Sequence, residues 1–187
     1  VLIAVFGGHG DLIGRPVAPS LAYYEPVETF PQDYEKAKQL LAEAGYPRGF
    51  ETSITTSNAY PHLVRIAQIF QANLAPIGIK VKLDISDWAT TIQKWVGGNF
   101  DVATVGWGFN PNPHTIYSTV LATGAPSSFI FGPNGFGNPE IDRLTKKAAM
   151  TEDFQARKAL YTQMAEIVVE EVPWIFTVFE TNPGGYR

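Results

Sequence analysis

Residues 79–113 constrain the fold more than any other stretch, because their pattern predicts a strand, a helix and a second strand in succession. Apolar and polar side chains alternate over residues 79–86, which indicates a strand with one buried and one wet face. Residues 100–107 are short and mainly apolar, which predicts a strand buried on both faces. Between these strands, the apolar side chains recur at helical spacing: Trp88, Ile92 and Trp95.

Earlier segments continue the alternation of strand and helix. Residues 51–56 predict a threonine-rich strand, and residues 61–74 predict a helix that Ser57 or Asn58 caps. Three strands separated by two helices imply parallel pairing with right-handed crossovers, and hence an α/β fold with a mixed, largely parallel sheet flanked by helices. The other expected elements are helices at residues 34–44, 114–121, 139–150 and 152–171 and a strand at 172–179. Asp33 and Asn138 are expected to cap the helices at residues 34–44 and 139–150.

The last strand of this unit leads Trp107 into a turn-rich loop, GFNPNP. Ligands of α/β proteins bind beyond the carboxyl ends of the strands. Three of the four tryptophans lie in the strand–helix–strand stretch, and aromatic residues make up 13% of the chain. The pattern therefore favours a ligand site here for apolar or planar groups.

Composition excludes several classes of function. The formal net charge of −4 and the absence of a Lys/Arg cluster argue against nucleic acid as a partner. The chain has no cysteine, which excludes disulfides, thiolate metal sites and cysteine nucleophiles. It also contains no apolar run of the about 18 residues that a membrane-spanning helix needs.

The sequence shows no catalytic or metal-binding pattern. His9, His62 and His114 stand apart and are expected in turns or on the surface, so neither a metal nor a cofactor is predicted. Asp87 is expected to cap a helix, and Asp101 to pair locally at the start of a strand. Without a serine-elbow or SxxK motif either, no catalytic residue and no enzymatic activity are predicted.

The first residues, VLIAVFGGHG, contain no initiator methionine. They suggest a segment cut from a longer protein. Residues 7–26 are rich in Gly and Pro and are expected to form irregular coil.

Four blocks, in their order and spacing, resemble the C-terminal lobe of family 5 extracellular solute-binding proteins. These are the dipeptide-, oligopeptide- and nickel-binding receptors of bacterial ABC importers. The blocks are residues 33–49 (DYEKAKQLLAEAGYPRG), 74–88 (LAPIGIKVKLDISDW), 99–108 (NFDVATVGWG) and 137–144 (GNPEIDRL).

The resemblance implies a receptor of two hinged lobes that close over a peptide or a peptide-like small polar solute. It implies a periplasmic or lipid-anchored location and delivery of the solute to permease subunits in the membrane. Residues 1–187 are then the C-terminal substrate-binding lobe, of the type II periplasmic-binding-protein kind. Residues 1–30 are hinge-proximal coil, and the N-terminal lobe is absent.

The resemblance also implies ligand-binding residues. In peptide-binding members, the side chains at the positions of Trp88, Ile92, Trp95 and Trp107 line the pockets for the ligand's side chains. Trp95 suits the protein core as well as a pocket, and this choice stays open. The implied set is Trp88, Ile92, Trp95, Trp107, Phe109, Asn110 and Asn112.

One position departs from the family's pattern. Three residues after the second tryptophan, peptide-binding members carry an aspartate that binds the α-ammonium of the peptide, whereas this chain has Asn110. The amide of Asn110 carries no charge, and losing the charge-assisted hydrogen bond to the ammonium costs about 1.5–3 kcal/mol of binding free energy. Asn110 and Asn112 would therefore suit a neutral polar ligand, such as a sugar derivative or an amide-rich compound.

Two other functions remain open from the sequence. A signalling or chaperone-like peptide-recognition module would keep the fold without serving a transporter. A hydrolase on the same scaffold would place a histidine or carboxylate inside the cavity.

Overall fold

The computed structural model describes residues 5, 11–17, 19–24, 26, 30–106, 112–133 and 135–179. Contacts divide the chain into two compact units, Phe30–Trp107 and Val1–Thr29 with Gly108–Arg187. The expectation that residues 1–187 form one lobe stays a prediction. In chain order the elements are β1 (Asp11–Leu12), α1 (Tyr34–Glu43), β2 (Glu51–Ser57), α2 (Pro61–Leu74), a 3-10 turn (Ala75–Ile77), β3 (Lys80–Ser86), α3 (Trp88–Gly97), β4 (Val102–Ala103), α4 (His114–Ile116), which continues as a π-helical turn (Tyr117–Leu121), a second 3-10 turn (Ser128–Phe131), α5 (Pro139–Ala149), α6 (Phe154–Glu171) and β5 (Val178–Phe179).

The unit Phe30–Trp107 contains a three-stranded parallel sheet in the order β3-β2-β4. Ile54 at the centre of β2 lies opposite Leu83 on one side and Val102 on the other. The predicted βαβαβ arrangement and its parallel pairing are confirmed, and with them the predicted α/β class.

The two faces of this sheet differ in chemistry because side chains alternate along each strand. On the α2 side, Ile54 and Val81 form a buried apolar cluster with Ala67 of α2. The opposite side of β2 and β3 presents Thr55 and Asp84, which are joined by a 3.2 Å hydrogen bond from the Thr55 hydroxyl. The apolar face thus holds the core of the unit, and the polar face meets α3.

Local side chains set most of the helix starts. Asp33, Asp87 and Asn138 each accept a hydrogen bond from a backbone N–H in the first turn of the helix that follows. These three predicted caps are confirmed. The cap expected at Ser57 or Asn58 is wrong, because α2 begins after Tyr60, whose side chain makes no capping bond.

Two predicted strands are shorter than expected. The strand predicted at residues 100–107 is reduced to Val102–Ala103, and Val102 is 45% exposed rather than buried on both faces. Asp101 just before it uses its carboxylate to accept the Ser53 backbone N–H at 2.8 Å, which occupies a donor of β2 with a side chain. The strand predicted at residues 172–179 is reduced to Val178–Phe179.

In the other unit, β1 and β5 form a short antiparallel pair. Within the stretch expected to be coil, Asp11–Leu12 is therefore a strand of two residues. The core of this unit lies between α5 and α6, where Leu144 and Met164 are almost fully buried. Tyr117, in the π-helical turn, stacks on Tyr161 of α6 at 5.8 Å between ring centroids.

No helix among the described residues combines the length and the apolar character that crossing a membrane requires.

Candidate ligand-binding site

The chain leaves β2 and β3 toward opposite faces of the sheet. The helix after β2 packs on the face of Val81, whereas the helix after β3 bonds to the alternate residues Asp84 and Ser86. Where neighbouring parallel strands send their connections to opposite faces, a crevice forms at their carboxyl ends, and ligands of α/β proteins bind there. The segments following Ser57 and Ser86 line this position.

Backbone hydrogen bonds hold the two segments together. The N–H of Asn58 donates to the carbonyl of Ser86 at 3.0 Å, which links the loop after β2 to the end of β3. The N–H of Ala59 donates to the Ser57 hydroxyl at 3.3 Å, and Ser57 is only 1% exposed. The loop is therefore anchored at its start.

Three rings meet at this point and are called here the aromatic corner: Tyr60, His62 and Trp88. The ring centroids of Tyr60 and Trp88 lie 5.0 Å apart at an interplanar angle of 81°. Tyr60 and His62 lie 5.9 Å apart at 65°. Tyr60 is 39% exposed and Trp88 is 38% exposed, so both rings keep accessible surface.

Trp95 packs against Trp88 of the aromatic corner. Its ring meets that of Trp88 edge to face, at 5.4 Å and 89°, and the residue is only 2% exposed. Its indole Nε1 has no hydrogen-bond partner among the described residues. This burial favours the core role that the sequence left open, and Ile92 on the same helix is half-buried.

An ion pair lies on the polar face of the sheet beneath α3. Lys94 Nζ is 2.6 Å and 2.7 Å from the two carboxylate oxygens of Asp84, and the Thr55 hydroxyl donates to the same carboxylate. The hydrogen bond from Lys94 is the main cause that lowers the pKa of Asp84 below its usual value. Asp84 is therefore a poor proton acceptor at neutral pH.

The two other aspartates near α3 are also engaged. The hydroxyl and the N–H of Thr90 donate to Asp87 at 2.6 Å and 3.0 Å and lower its pKa. The hydroxyl of Ser53 donates to Asp101 at 2.8 Å and lowers its pKa. Within the described ranges, no three His, Cys, Asp or Glu side chains are grouped so that they could hold a metal ion.

The structure brings together only part of the predicted ligand set. Trp88 and Trp95 are in contact, whereas Trp107, Phe109 and Asn110 lie outside the described residues. Asn112 belongs to the other unit, where its side-chain oxygen accepts the His114 N–H at 3.0 Å. The ligand-binding role of the whole set stays a prediction.

Tyr60 and His62 were not predicted as site residues from the sequence. The sequence pattern places the site at the carboxyl end of the last strand and predicts His62 in a turn or on the surface. The available signal was the carboxyl end of β2, since parallel strands end at the same edge of a sheet. An aromatic residue a few positions after each strand was visible in both loops.

Comparison with known proteins identifies the family. Residues 2–128 match the family model described as bacterial extracellular solute-binding proteins, family 5 Middle. Heme-binding protein A of Haemophilus influenzae is 36% identical over 185 residues, covering 94% of this chain and 33% of the relative. The glutathione-binding protein GsiB of Salmonella paratyphi A is 28% identical over 195 residues, covering 94% and 35%.

A solved structure supports the same grouping. The periplasmic binding protein DppA of Helicobacter pylori, described as ABC transporter-associated and in complex with the peptide STSA, superposes with a TM-score of 0.84 at 28% identity. The match covers 96% of this chain and 35% of DppA. The chain thus spans about a third of the length of the relatives it matches.

Proposed function

We propose a function from one premise: the chain belongs to the bacterial extracellular solute-binding proteins of family 5, whose model matches residues 2–128. The protein is a receptor of an ABC importer that captures a peptide or peptide-like small polar solute between two lobes and passes it to permease subunits in the membrane. It acts in the periplasm, or outside the cell while attached to the membrane by a lipid anchor. Residues 1–187 supply the C-terminal substrate-binding lobe, in keeping with their coverage of about a third of each relative.

The observation that carries this proposal is the aromatic corner at the diverging ends of β2 and β3. Tyr60 and Trp88 offer ring surface at the place where α/β folds bind ligands. Aromatic faces bury the apolar surface of the ligand, and the amide of Asn110 orients its polar groups. Closure of the second lobe completes the cavity.

A binding role without catalysis fits the three aspartates near α3. Asp84, Asp87 and Asp101 are each held by a hydrogen bond that lowers the pKa, so none is prepared to accept a proton at neutral pH. The relatives compared above are likewise named as binding proteins.

Identification of the bound solute tests the proposal. The full-length parent is purified from its host, and the compound extracted from it is identified by mass spectrometry. We expect a peptide or a peptide-like compound. The same compound, isotopically labelled, should then enter host cells that carry the gene and fail to enter cells that lack it. Uptake that does not depend on the gene would favour the signalling module, and conversion of the compound by the pure protein would favour a hydrolase.

Replacement of Asn110 tests the ligand's charged end. In the full-length parent, Asn110→Asp restores the carboxylate implied by the family resemblance, so affinity for the free-amine peptide Ser-Thr-Ser-Ala should rise about tenfold to a hundredfold. Calorimetric titration compares this peptide with its N-acetylated form, which lacks the ammonium and should gain nothing. Asn73→Asp is the matched control: it makes the same change near the end of α2, away from the carboxyl ends of the strands, and should leave both affinities unchanged. An equal gain for the acetylated peptide would contradict the assignment.

A further inference from the structure

The aromatic corner is held from two directions and is therefore preorganised. Trp88 rests edge to face on the buried ring of Trp95, and its helix begins at the Asp87 cap. Tyr60 follows the anchored loop after β2, where its N–H donates to the Ser57 carbonyl at 3.3 Å. Pro61 comes next and starts α2 with a fixed backbone angle. The backbone positions of Tyr60 and Trp88 are thus fixed by the fold.

The carboxylates at and near the start of α3 are already hydrogen-bonded and have little capacity to bind a charged ligand. Asp87 already accepts two hydrogen bonds from Thr90, and Asp84 is bound to Lys94. Both Tyr60 and Trp88 are partly exposed, and their side chains consist mostly of aromatic carbon. This part of the surface therefore suits an uncharged group of the ligand.

Two rings set at 81° recognise the shape of what binds beside them. A flat aromatic group can stack on one ring and meet the other edge to face, and both arrangements are favoured by the ring quadrupoles. A saturated group of the same size buries similar area without these arrangements. We propose that Tyr60 is a specificity-determining residue which, with Trp88, selects an aromatic or other planar group of the ligand over a saturated one. This inference rests on the proposed receptor function and names a subsite within it.

The test uses two small neutral probes, benzamide and cyclohexanecarboxamide, which share the amide and differ in the ring. Nitrogen–proton correlation spectra of the full-length parent follow the indole signal of Trp88, assigned with the variant Trp88→Phe. Benzamide should shift this signal and bind about fivefold more tightly than cyclohexanecarboxamide. Tyr60→Leu should lower the ratio of the two affinities, because only the Trp88 ring then remains, whereas Tyr60→Phe, which keeps the ring, should preserve it.

Tyr46→Leu is the matched control. Tyr46 also forms an edge-to-face pair in the same unit, with Phe50 at 5.3 Å, but it lies before β2 rather than after it. This variant should leave the ratio unchanged. Equal affinity of the two probes for the unmodified chain, an undiminished preference in Tyr60→Leu, or no shift of the Trp88 signal would each overturn the inference. None of these outcomes bears on gene-dependent uptake, so the receptor function stands or falls separately.

Discussion

Val172 ends α6 in a left-handed conformation, with φ 47° and ψ 46°, that β-branched side chains rarely adopt. Its N–H still donates to the Val168 carbonyl at 3.1 Å, and Pro173 follows, which restricts the preceding residue further. Val172 is 46% exposed, so little packing is lost if the side chain is changed. The helix end therefore stores strain that a different residue can remove.

Replacement of Val172 by asparagine should stabilise the chain by about 1 kcal/mol, because asparagine tolerates this conformation. Glycine should stabilise it by a similar or slightly smaller amount, since it also loses more backbone entropy on folding. Urea unfolding followed by circular dichroism gives the midpoints. Val172→Ala, which keeps a side chain in the left-handed region, is the control and should gain less. A lower midpoint for both the asparagine and glycine variants would contradict this account.

The turns before β2 and β3 approach each other through two glycines. Gly49 and Gly78 both have positive φ, at 75° and 86°. A Cβ added at Gly49 would lie 2.1 Å from the Gly78 carbonyl oxygen, which no relaxation of a flexible side chain can relieve. Beyond this contact, the N–H of Lys80 donates to the Phe50 carbonyl at 2.9 Å and starts the pairing of the strands. The close approach of the two glycines therefore accompanies the register in which β2 and β3 pair.

Gly49→Ala should destabilise the chain by about 3 kcal/mol or more, because backbone strain and a backbone clash combine. Gly45→Ala is the matched control: Gly45 also has a positive φ of 88°, but no atom lies within 4 Å of an added Cβ. Gly45→Ala should lower the free energy of unfolding by only about 1–2 kcal/mol, which is the cost of the left-handed conformation. Urea midpoints from tryptophan fluorescence compare the two, and equal losses would show that the contact with Gly78 does not matter.

Elements governed by nearby residues could be predicted from the sequence, and those governed by distant contacts could not. Asp87 and Asn138 cap helices through backbone groups two or three residues away, so their pattern was sufficient. The strand predicted from residue 100 begins only at Val102, where the Asp101 side chain just before it accepts the N–H of Ser53, 48 positions earlier in the chain. No periodicity within the strand records that contact.

The same limit applies to the prediction of the ligand-binding site, which depends on the whole fold. Trp88 could be placed near the strand ends because it begins the helix directly after β3. Tyr60 could not, because its meeting with Trp88 depends on β2 and β3 being neighbours and on their connections leaving to opposite faces. The direction of a connection follows from packing on Val81 or bonding to Asp84, which only the folded chain shows.

The stability of the molecule should depend on pH through its engaged carboxylates. Asp84, Asp87 and Asp101, all in the unit Phe30–Trp107, have pKa values lowered by hydrogen bonds to Lys94, Thr90 and Ser53 respectively. An unfolded aspartate has a pKa of about 3.9, so between the lowered values and about pH 5 the unfolded chain binds more protons than the folded one. The stability that these groups contribute is therefore complete above about pH 5 and is lost as the pH falls through their lowered pKa values.

Asp101→Asn removes one of these carboxylates and tests the sign directly. The variant should be less stable than the unmodified chain at pH 7. The difference in free energy of unfolding should shrink as the pH falls from about 5 through the lowered pKa of Asp101, because the carboxylate of the unmodified chain then becomes protonated. Urea titrations at pH 7, 5.5, 4 and 3 measure both chains. Tryptophan fluorescence suits the readout, since three of the four tryptophans lie in residues 30–107. A difference that stays constant down to pH 3 would mean that the amide lacks only the packing or geometry of the carboxylate. A difference that vanishes in acid identifies the charge itself as the source of stability, which is the result that the hydrogen bonds of Asp101 to Ser53 and Thr52 predict.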